Sequence, residues 1–443
     1  MTPSRRLRVH LDFGADSAPL LLGECLWVAS QRLTAFQWSP EALASGMKLS
    51  PLHLPLTPGV HMATPTPFGG LHGMLADSIP DGFGLRLMDK SLASAGHGPG
   101  SVTPIHRLAW VGSRGIGALT YTPVMEAGET RGLLEISELG RHAARADVED
   151  FKDIPEAAIK AGGSAHGARP KFWTSVSADG TQALLGDDTR ATTGFTPSLV
   201  KFAPARGDRN EPFYEAACLE LAQRHGVRAA RARLLSHPHG AALAVERFDR
   251  LPGAGRVFVQ SLAALLHDDF RVPRLDYFHL AQVSARLSGA PESERIYRQA
   301  CFNVALSMRD DHSKNFAFCM DASGRWALSP AFDLCPNPGP AGWHTMTVSG
   351  VGVDIARADL LRFADKLDLA EAIAKDGIAQ ALAAASEFES LAVSLGAQKT
   401  GAKAWAKAFS SIAKRLAPAT VAASSRSTAK PTSRVRSTPR RIV

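Results

Sequence analysis

Residues 308–318 read Met308-Arg309-Asp310-Asp311-His312-Ser313-Lys314-Asn315-Phe316-Ala317-Phe318, and a further aspartate follows in Ala331-Phe332-Asp333-Leu334. Phosphoryl transfer from a nucleotide needs one carboxylate to orient the attacking hydroxyl, and an amide with a second carboxylate to hold Mg²⁺ on the phosphates. Asp310, Asn315 and Asp333 fit these three roles. A polar turn with a local Asx hydrogen bond would also explain an isolated Asp-x-x-x-x-Asn. The interpretation therefore depends on what the rest of the chain supplies.

The spacing from Asp310 to Asn315 is also that of the catalytic loop of protein kinases. Upstream, four features follow one another in an order that suits a single ATP site. They are the glycine-rich turn from Gly162 to Lys171, Lys201 in a predicted strand, Glu215 early in a predicted helix, and Glu246-Arg247-Phe248-Asp249. Backbone N–H groups in such a turn can cradle phosphates, a strand lysine can reach the α- and β-phosphates, and a helix glutamate can orient that lysine. Each feature alone also has an ordinary explanation as a turn, a surface lysine, a solvated glutamate or a salt-bridged strand end.

Composition indicates a globular protein of more than one domain. The chain has 443 residues, of which 45% are apolar and 21% charged, which is ordinary for such proteins. It has no uninterrupted apolar run of about 18 residues, and its start from Met1 to Arg6 leads into a strand pattern without an apolar signal region. We therefore expect a cytoplasmic protein without membrane association. Its five scattered cysteines favour neither a disulfide framework nor a zinc site.

Residue patterns divide the chain into four segments, and together they predict an α+β, protein-kinase-like bilobal fold. Residues 1–125 are mostly strand-like, with a helix from Phe83 to Ala93 that begins at Pro80-Asp81-Gly82, and form a predicted α+β domain. Residues 126–265 form a predicted β-rich N-lobe with a connecting helix around Leu133 to Ala144, strands at 198–202 and 241–248, and a helix at 211–226. Residues 266–418, rich in alanine and leucine, form a predicted helical C-lobe.

The last segment, residues 419–443, is a predicted disordered basic tail. It carries six of the positive charges that make up the net charge of +8, and no acidic residue. The rest of the chain is close to neutral. A regulatory nucleotide-binding protein that contacts DNA through this tail is therefore one alternative function, since clustered cations attract phosphates without regard to sequence.

The motifs together resemble those of the HipA family of serine/threonine kinases, the toxins of HipBA-type toxin-antitoxin modules. The resemblance rests on Ser164-Ala165-His166-Gly167-Ala168-Arg169-Pro170-Lys171, Lys201, Glu246-Arg247-Phe248-Asp249, Asp310-Asp311-His312-Ser313-Lys314-Asn315 and Asp333. The N-terminal region also looks like that of the family, at Ser50-Pro51-Leu52-His53-Leu54-Pro55-Leu56 and Ile79-Pro80-Asp81-Gly82-Phe83-Gly84. The similarity extends to about Pro418.

The resemblance implies a role for each matching residue. Asp310 would be the catalytic base or hydroxyl-orienting residue, Asn315 and Asp333 would bind Mg²⁺, and Glu215 would support Lys201. The residues implied to contact ATP are His166, Gly167, Ala168, Arg169, Pro170, Lys171, Lys201, Glu246, Arg247, Phe248, His312, Ser313, Lys314, Asn315 and Phe332. Ser164 falls where the family carries an autophosphorylated serine, whose modification ejects the loop and switches the kinase off.

The implied activity is transfer of the ATP γ-phosphate to a protein hydroxyl, with ATP and Mg²⁺ as cofactors. The implied partner is a small helix-turn-helix antitoxin of the HipB type, and DNA would be contacted only through that antitoxin. The implied substrate is a protein, and aminoacyl-tRNA synthetases are among the candidates. Two features depart from the usual patterns: His166 replaces a second glycine, and Phe332-Asp333-Leu334 replaces the Asp-Phe-Gly of eukaryotic kinases. A metal-dependent phosphohydrolase that uses Asp311 and His312 is a further alternative.

Overall fold

The structure is a computed structural model that describes residues 6–14, 17–98, 100–125, 131–186, 193–238, 240–289 and 292–418. The basic tail at 419–443, which is predicted to be disordered, lies outside the described residues. Among the helices that are described, none combines the length and apolarity that crossing a bilayer requires.

The N-terminal part is a five-stranded antiparallel sheet with helices packed around it. Its strands are β1 (Arg6–Leu11), β2 (Leu20–Val28), β3 (Leu33–Trp38), β4 (Val60–Met62) and β5 (Leu119–Thr122), in the order β4-β3-β2-β1-β5; its helices are α1 (Pro40–Ser45), α2 (Gly73–Ala76), α3 (Gly82–Ser94) and α4 (Pro104–Val111). Alternate residues of β1, namely Leu7, Val9 and Leu11, are buried, as expected for a strand with one face on the core. The helix predicted at Phe83–Ala93 is confirmed as α3.

The second part is built on a six-stranded antiparallel sheet. Its elements are β6 (Gly132–Glu135), α5 (Ile136–Asp147), α6 (Glu156–Gly162), β7 (Lys171–Ser177), β8 (Gln182–Leu185), β9 (Phe195–Phe202), α7 (Glu211–Arg224), β10 (Ala232–His237) and β11 (Gly240–Glu246), with strand order β10-β11-β9-β7-β8-β6. The predicted strand at 198–202 and helix at 211–226 are confirmed as β9 and α7.

Two local predictions in this part were wrong at their ends. The connecting helix was expected to include Leu133, but this residue pairs with Leu184 in the sheet, and the helix begins only at Ile136. The strand expected to continue through Phe248 ends at Glu246. It ends there because the Arg247 guanidinium turns inward to bind the carboxylate two residues further on.

The third part is mostly helical. It contains β12 (Arg250–Leu251), β13 (Gly255–Arg256), β14 (Phe258–Ser261), α8 (Leu262–Leu266), α9 (Tyr277–Ser288), α10 (Ser293–Ala305), β15 (Ala317–Met320), β16 (Trp326–Leu328), α11 (Arg357–Lys366), α12 (Glu371–Leu395) and α13 (Lys399–Leu416). The alanine-rich α12 packs against α7, α10 and α13, since small side chains let helices approach closely. Buried residues of α7 and the third part form one hydrophobic core.

A second hydrophobic core joins the N-terminal part to the six-stranded sheet. It runs without a break from β1 and the helices of the N-terminal part to α5, α6 and the strands β7, β9 and β11. At the junction the Phe83 ring of α3 meets the Phe172 ring of β7 edge-on, with their centroids 5.9 Å apart. The N-terminal part is therefore packed onto the sheet that carries Lys201.

Candidate active site

The Lys201 side chain lies at the centre of the site, between two carboxylates. It projects from β9, inside the six-stranded sheet, and its Nζ donates to Glu215 Oε1 of α7 at 2.6 Å and to Asp333 Oδ1. The Lys201 and Glu215 side chains are only 11% and 8% exposed, and that of Asp333 is 36% exposed. The strand β9, the helix α7 that follows it and the distant residue Asp333 thus meet at one ammonium group, and the contact between Lys201 and Glu215 is the predicted one.

Charge pairing outweighs the cost of burial for Lys201 and Asp333, but not for Glu215, whose pKa is raised by burial although Lys201 opposes this effect. Burial alone would lower the pKa of Lys201, but the carboxylates of Asp333 and Glu215 raise it above its usual range. Burial alone would raise the pKa of Asp333, but Lys201 and Lys171 hold it well below its usual range. Lys171 lies directly opposite Lys201 in the register of β7 and β9. Two lysines on neighbouring strands therefore face the same space, which suits a polyanionic ligand.

The segment from Asp310 to Asn315 is held in one shape by its own hydrogen bonds. Asn315 Nδ2 donates to the Asp310 carbonyl at 2.7 Å, and the Asn315 N–H donates to the His312 carbonyl at 2.8 Å. Ser313 Oγ donates to Asp268 Oδ2 at 2.6 Å. A local side-chain bond of the kind that an ordinary polar turn would make is therefore present, and the Asp310 carboxylate takes no part in it.

Asp311, next to Asp310, has a structural role. Its buried carboxylate accepts from the Tyr277 hydroxyl at 2.9 Å, from His344 Nδ1 at 2.9 Å and from the Thr345 N–H at 2.8 Å. All of these partners belong to the helical part. This carboxylate is engaged on both oxygens and cannot serve as a free metal ligand, which removes the main support for the phosphohydrolase alternative.

Asp310, Asn315 and Asp333 line one small cavity together with Phe332. The three residues proposed for hydroxyl alignment and metal binding are thus brought together, although they are up to 23 positions apart. Among the described residues, no group of three or more His, Cys, Asp and Glu side chains could hold a metal ion by themselves. Mg²⁺ usually keeps water and substrate phosphates as ligands beside one or two carboxylates, so the donor set of Asp333 and Asn315 fits this ion only with a nucleotide present.

The Asp310 carboxyl is the most exposed of these groups, with 63% of its side chain accessible. Partial burial, together with the nearby Asp333 and Asp311 carboxylates, raises its pKa, although His312 opposes this effect. A carboxylate with a raised pKa is a better hydrogen-bond acceptor for a hydroxyl. His312 Nε2 lies 3.9 Å from Asp310 Oδ1, and the His312 ring packs against Phe270.

The glycine-rich turn folds over the site from the end of α6. Gly167 has a φ of +95°, a conformation that favours glycine, and Lys171 Nζ lies so close that a Cβ at Gly167 would meet it at 2.4 Å. Arg169 pairs with Glu211 at the start of α7, and the Pro170 carbonyl accepts from the Phe202 N–H at 2.9 Å. Ala168 follows Gly167 against the start of α3.

Two predicted residues of the turn differ in exposure: Ser164 is buried, whereas His166 is half-buried. The Ser164 side chain is fully buried, and its Oγ donates to the Lys160 carbonyl at 3.1 Å in the last turn of α6. Burial and the neighbouring Lys314 ammonium lower the pKa of His166 to about 4. His166 Nδ1 lies 3.5 Å from Lys314 Nζ, so a neutral ring accepts from the ammonium at neutral pH.

Residues 246–248, called the hinge below, are implied by the resemblance to contact ATP, and the three residues have different surroundings. Phe248 stacks on Phe332 with ring centroids 5.5 Å apart, which makes an apolar surface suited to a flat aromatic base. The Glu246 N–H already donates to the Arg231 carbonyl at 2.8 Å. The Arg247 guanidinium is buried against Trp173, at 4.2 Å from the ring centroid, and binds Asp249. Its side chain therefore holds the hinge together.

Asp249 binds this hinge to the N-terminal part. Its carboxylate accepts from Arg247, from Arg250 Nη1 at 2.7 Å and from the Gly117 N–H at 2.7 Å. Burial alone would raise the pKa of Asp249, but the two arginines hold it well below its usual range. The Glu-Arg-Phe-Asp-Arg segment thus carries a buried ion cluster, so the salt-bridged strand end considered in the sequence analysis is present beside any contact with ATP.

Sequence reasoning also missed Asp81, which comes from the N-terminal part. One carboxylate oxygen of Asp81 accepts from the Gly167 N–H, and the other accepts from Lys314 Nζ at 2.7 Å. From the sequence, Pro80-Asp81-Gly82 is interpreted as the start of a helix and as part of the N-terminal resemblance, with no role at the site. No spacing in the sequence indicates contacts between residues that are 86 and 233 positions apart.

Comparison with known proteins gives the following matches. The family model described as the HipA-like C-terminal domain matches residues 163–414, and that of the HipA N-terminal domain matches residues 21–122. HipA of Shewanella oneidensis MR-1, solved with HipB and its operator DNA, has a TM-score of 0.65 at 19% identity, over 92% of this chain and 95% of that one. The Helicobacter pylori proinflammatory kinase CtkA has a TM-score of 0.34 at 11% identity, over 50% of this chain and 88% of that one, and adds nothing to the assignment. The first of these structures confirms the predicted α+β fold.

Proposed function

The chain belongs to the HipA family, and from this premise we propose that it is an ATP-dependent serine/threonine protein kinase that acts as the toxin of a type II toxin-antitoxin module. The observation that carries the kinase proposal is the position of Lys201. Its ammonium contacts both Glu215 and Asp333, in the sheet directly below the glycine-rich turn. This arrangement places one fixed positive charge where nucleotide phosphates would lie.

The site offers a separate group for each end of ATP. The stacked rings of Phe248 and Phe332 would receive the adenine, and Lys171 and Lys201 would face the phosphates. Asn315 and Asp333 would hold Mg²⁺, which neutralises charge on the phosphates when it is bound. Ion pairing with Lys201 keeps Asp333 ionised at neutral pH, as a magnesium ligand must be.

Asp310 would align the substrate hydroxyl. Its side chain is exposed toward the cavity that Asn315 and Asp333 line, and its main chain is fixed by the bond from Asn315. A carboxylate in this position accepts the hydroxyl hydrogen bond and directs the oxygen lone pair at the γ-phosphate. Positioning of this kind, together with charge stabilisation, accounts for most of the catalysis of phosphoryl transfer.

The first test is substitution of Asp310 by asparagine. Loss of a positioned base typically lowers rates by about 100- to 10,000-fold, so we expect phosphate transfer from γ-labelled ATP to fall to background while ATP binding persists. The matched control is Asp368→Asn, because Asp368 is exposed, lies in the same helical part and has a left-handed backbone that asparagine also tolerates. Undiminished transfer in the Asp310 variant would refute the assignment.

Autophosphorylation at Ser164 is part of the proposal. Because Ser164 is fully buried, its modification requires the turn to leave its place. A phosphate group adds up to about two negative charges, which the space under the turn could not accommodate beside the phosphates of ATP. Mass spectrometry of protein incubated with ATP and Mg²⁺ should find phosphate on Ser164 in the wild type and none in Asp310→Asn. Label confined to other sites would contradict this part.

The proposed partners follow from the family. The Shewanella HipA was solved with HipB and operator DNA, and we propose a small helix-turn-helix antitoxin of the HipB type for this chain, with DNA reached through that antitoxin. Aminoacyl-tRNA synthetases are the first protein substrates to test. Expression of the chain should arrest growth unless its antitoxin is expressed too, and expression of the Asp310→Asn variant should not. If the wild type and the Asp310→Asn variant were equally toxic, toxicity would not depend on kinase activity.

A further inference from the structure

The start of α3 makes an unusually close contact with the glycine-rich turn. The Phe83 N–H donates to the Gly167 carbonyl at 3.0 Å, while the Gly167 N–H donates to Asp81. A Cβ on Gly84 would lie 2.2 Å from the Ala165 carbonyl oxygen. The backbone of the turn therefore lies directly on the backbone of the N-terminal part.

The Asp81 carboxylate is committed to the turn and not to its own helix. Asp81 occupies the N-cap position of α3, where an aspartate normally accepts from the free N–H groups of the first turn. It makes no such capping bond. Instead its two oxygens bind Gly167 and Lys314. A role limited to helix stability would predict the opposite.

The same carboxylate joins the turn to the segment that carries Asp310. Lys314 belongs to the segment from Asp310 to Asn315. Its Nζ donates to the Asp81 carboxylate at 2.7 Å and lies 3.5 Å from Nδ1 of His166, which belongs to the turn. Burial would raise the pKa of Asp81, but His166, which is protonated in the acid range where Asp81 titrates, the Lys314 ammonium and the two hydrogen bonds hold this pKa well below the usual range. The carboxylate is therefore charged throughout the physiological range.

From these contacts we propose that Asp81 is a positioning residue of the kinase: it fastens the glycine-rich turn over the nucleotide and sets the turn in register with the catalytic segment through Lys314. The proposal deepens the function given above and rests on it for its catalytic part. It makes the N-terminal part a component of the ATP site. It also predicts that release of Ser164 requires these Asp81 bonds to break first.

The test measures the turn directly, without nucleotide. In Asp81→Asn the side-chain oxygen can still accept from Gly167, but the bond from the Lys314 ammonium is lost. We expect hydrogen exchange of the amides at 163–168 to accelerate about tenfold, since a hydrogen bond to a charged group is worth roughly that factor, and to accelerate further in Asp81→Ala. The matched control is Asp89→Asn, which removes an exposed carboxylate of the same helix that pairs with Arg107.

Exchange in α3 itself separates positioning from simple stabilisation. If Asp81 acts on the turn, amides at 86–94 keep their protection in Asp81→Asn while those at 163–168 lose theirs. Equal acceleration in both segments would show that the carboxylate only stabilises the helix, and no acceleration in either would show that the contact is unimportant. Both results would overturn the proposal.

A second variant reaches the same contact without changing any charge. Gly84→Ala pushes a methyl group against the Ala165 carbonyl, whereas Gly98→Ala, in a position with no atom within 4 Å of the added Cβ, should have no effect. Gly84→Ala should also expose the turn to exchange. Unchanged exchange in this variant would contradict the close docking on which the proposal depends.

Kinetics supply the catalytic readout. In Asp81→Asn, we expect the KM for ATP to rise about tenfold, with a smaller fall in kcat at saturating ATP, because the turn covers the nucleotide and does not touch the hydroxyl. A fall in kcat alone would refute a role in holding ATP. If the wild type transfers no phosphate at all, the proposed function fails, but the exchange experiments still decide whether Asp81 fastens the turn.

Discussion

Replacement of Lys201 by methionine should strongly destabilise the protein at neutral pH. The substitution keeps the length of the side chain but removes the cation that Glu215 and Asp333 share. Removing one partner of a buried ion pair costs about 3–5 kcal/mol. Because Glu215 is 8% exposed but Asp333 is 36% exposed, water stabilises part of the freed charge, and we expect a loss near the lower end, about 3 kcal/mol in the free energy of unfolding.

The dependence on pH gives this prediction its sharpest test. In the wild type the pKa of Asp333 is lowered, so its contribution to stability is present above about pH 4 and is lost as the pH falls through its folded value. Without the cation, burial and mutual repulsion raise both carboxyl pKa values above their unfolded values. The folded variant then binds more protons than the unfolded chain, and its stability rises as the pH falls from about 7 to about 5.

Urea unfolding at these two pH values measures the effect, with Lys407→Met as the control because Lys407 is an exposed lysine of α13. The difference in unfolding free energy between the wild type and Lys201→Met should shrink at the lower pH. Adding Glu215→Gln should recover part of the loss, since it removes one of the two stranded charges. A deficit that stays constant or grows with acid, or a double variant as unstable as the sum of the single ones, would refute the reasoning.

Two further predictions concern the contacts of the N-terminal part. Burial and the neighbouring histidines lower the pKa of His267 to about 4, and its neutral Nε2 accepts from the Gly73 N–H at 3.1 Å. The stability of the protein should therefore fall as the pH drops from about 6.5 toward 4. The thermal unfolding midpoint of His267→Gln, which keeps an acceptor but does not titrate, should fall less over this pH range. Asp249→Asn should cost about 3 kcal/mol because it removes the negative charge that balances two buried arginines. Asp321→Asn, in a surface turn, should cost less than about 1 kcal/mol. Urea unfolding compares the two variants, and equal losses would contradict the importance of the buried cluster.

The site was predictable where chemistry and order along the chain coincide. A carboxylate, an amide and a second carboxylate at 310, 315 and 333, preceded by a strand lysine and a helix glutamate, indicate one nucleotide site, and the structure brings these side chains together. The contact of Asp81 was not predictable, because a Pro-Asp-Gly sequence explains a helix start equally well. Nothing in the local pattern specifies a partner 233 residues away.

Other differences between the predicted and the observed structure arise where a residue fits two kinds of local structure or contact equally well. Leu133 fits the period of a strand and of a helix, and only its pairing with Leu184 settles the matter. Arg247 follows a strand at the expected hinge, but the sequence does not show that its guanidinium is buried against Trp173. The ion pair with Asp249, two positions on, matches the salt-bridged strand end considered in the sequence analysis, but its burial does not follow from the sequence.

The continuous core between the N-terminal sheet and the Lys201 sheet limits how the two parts can be recombined in evolution. A catalytic module that is separable can be recombined with new neighbours, since its surface is complete without them. Here the ring of Phe172 is covered by Phe83, so a gene fragment that encodes only the nucleotide site would yield a protein with part of its interior exposed to water. Because synthesis starts at the N-terminus, the N-terminal part with Phe83 is made before the sheet surface around Phe172 that it buries. The two halves must therefore change together, and exchange of one half between distant relatives should be rare.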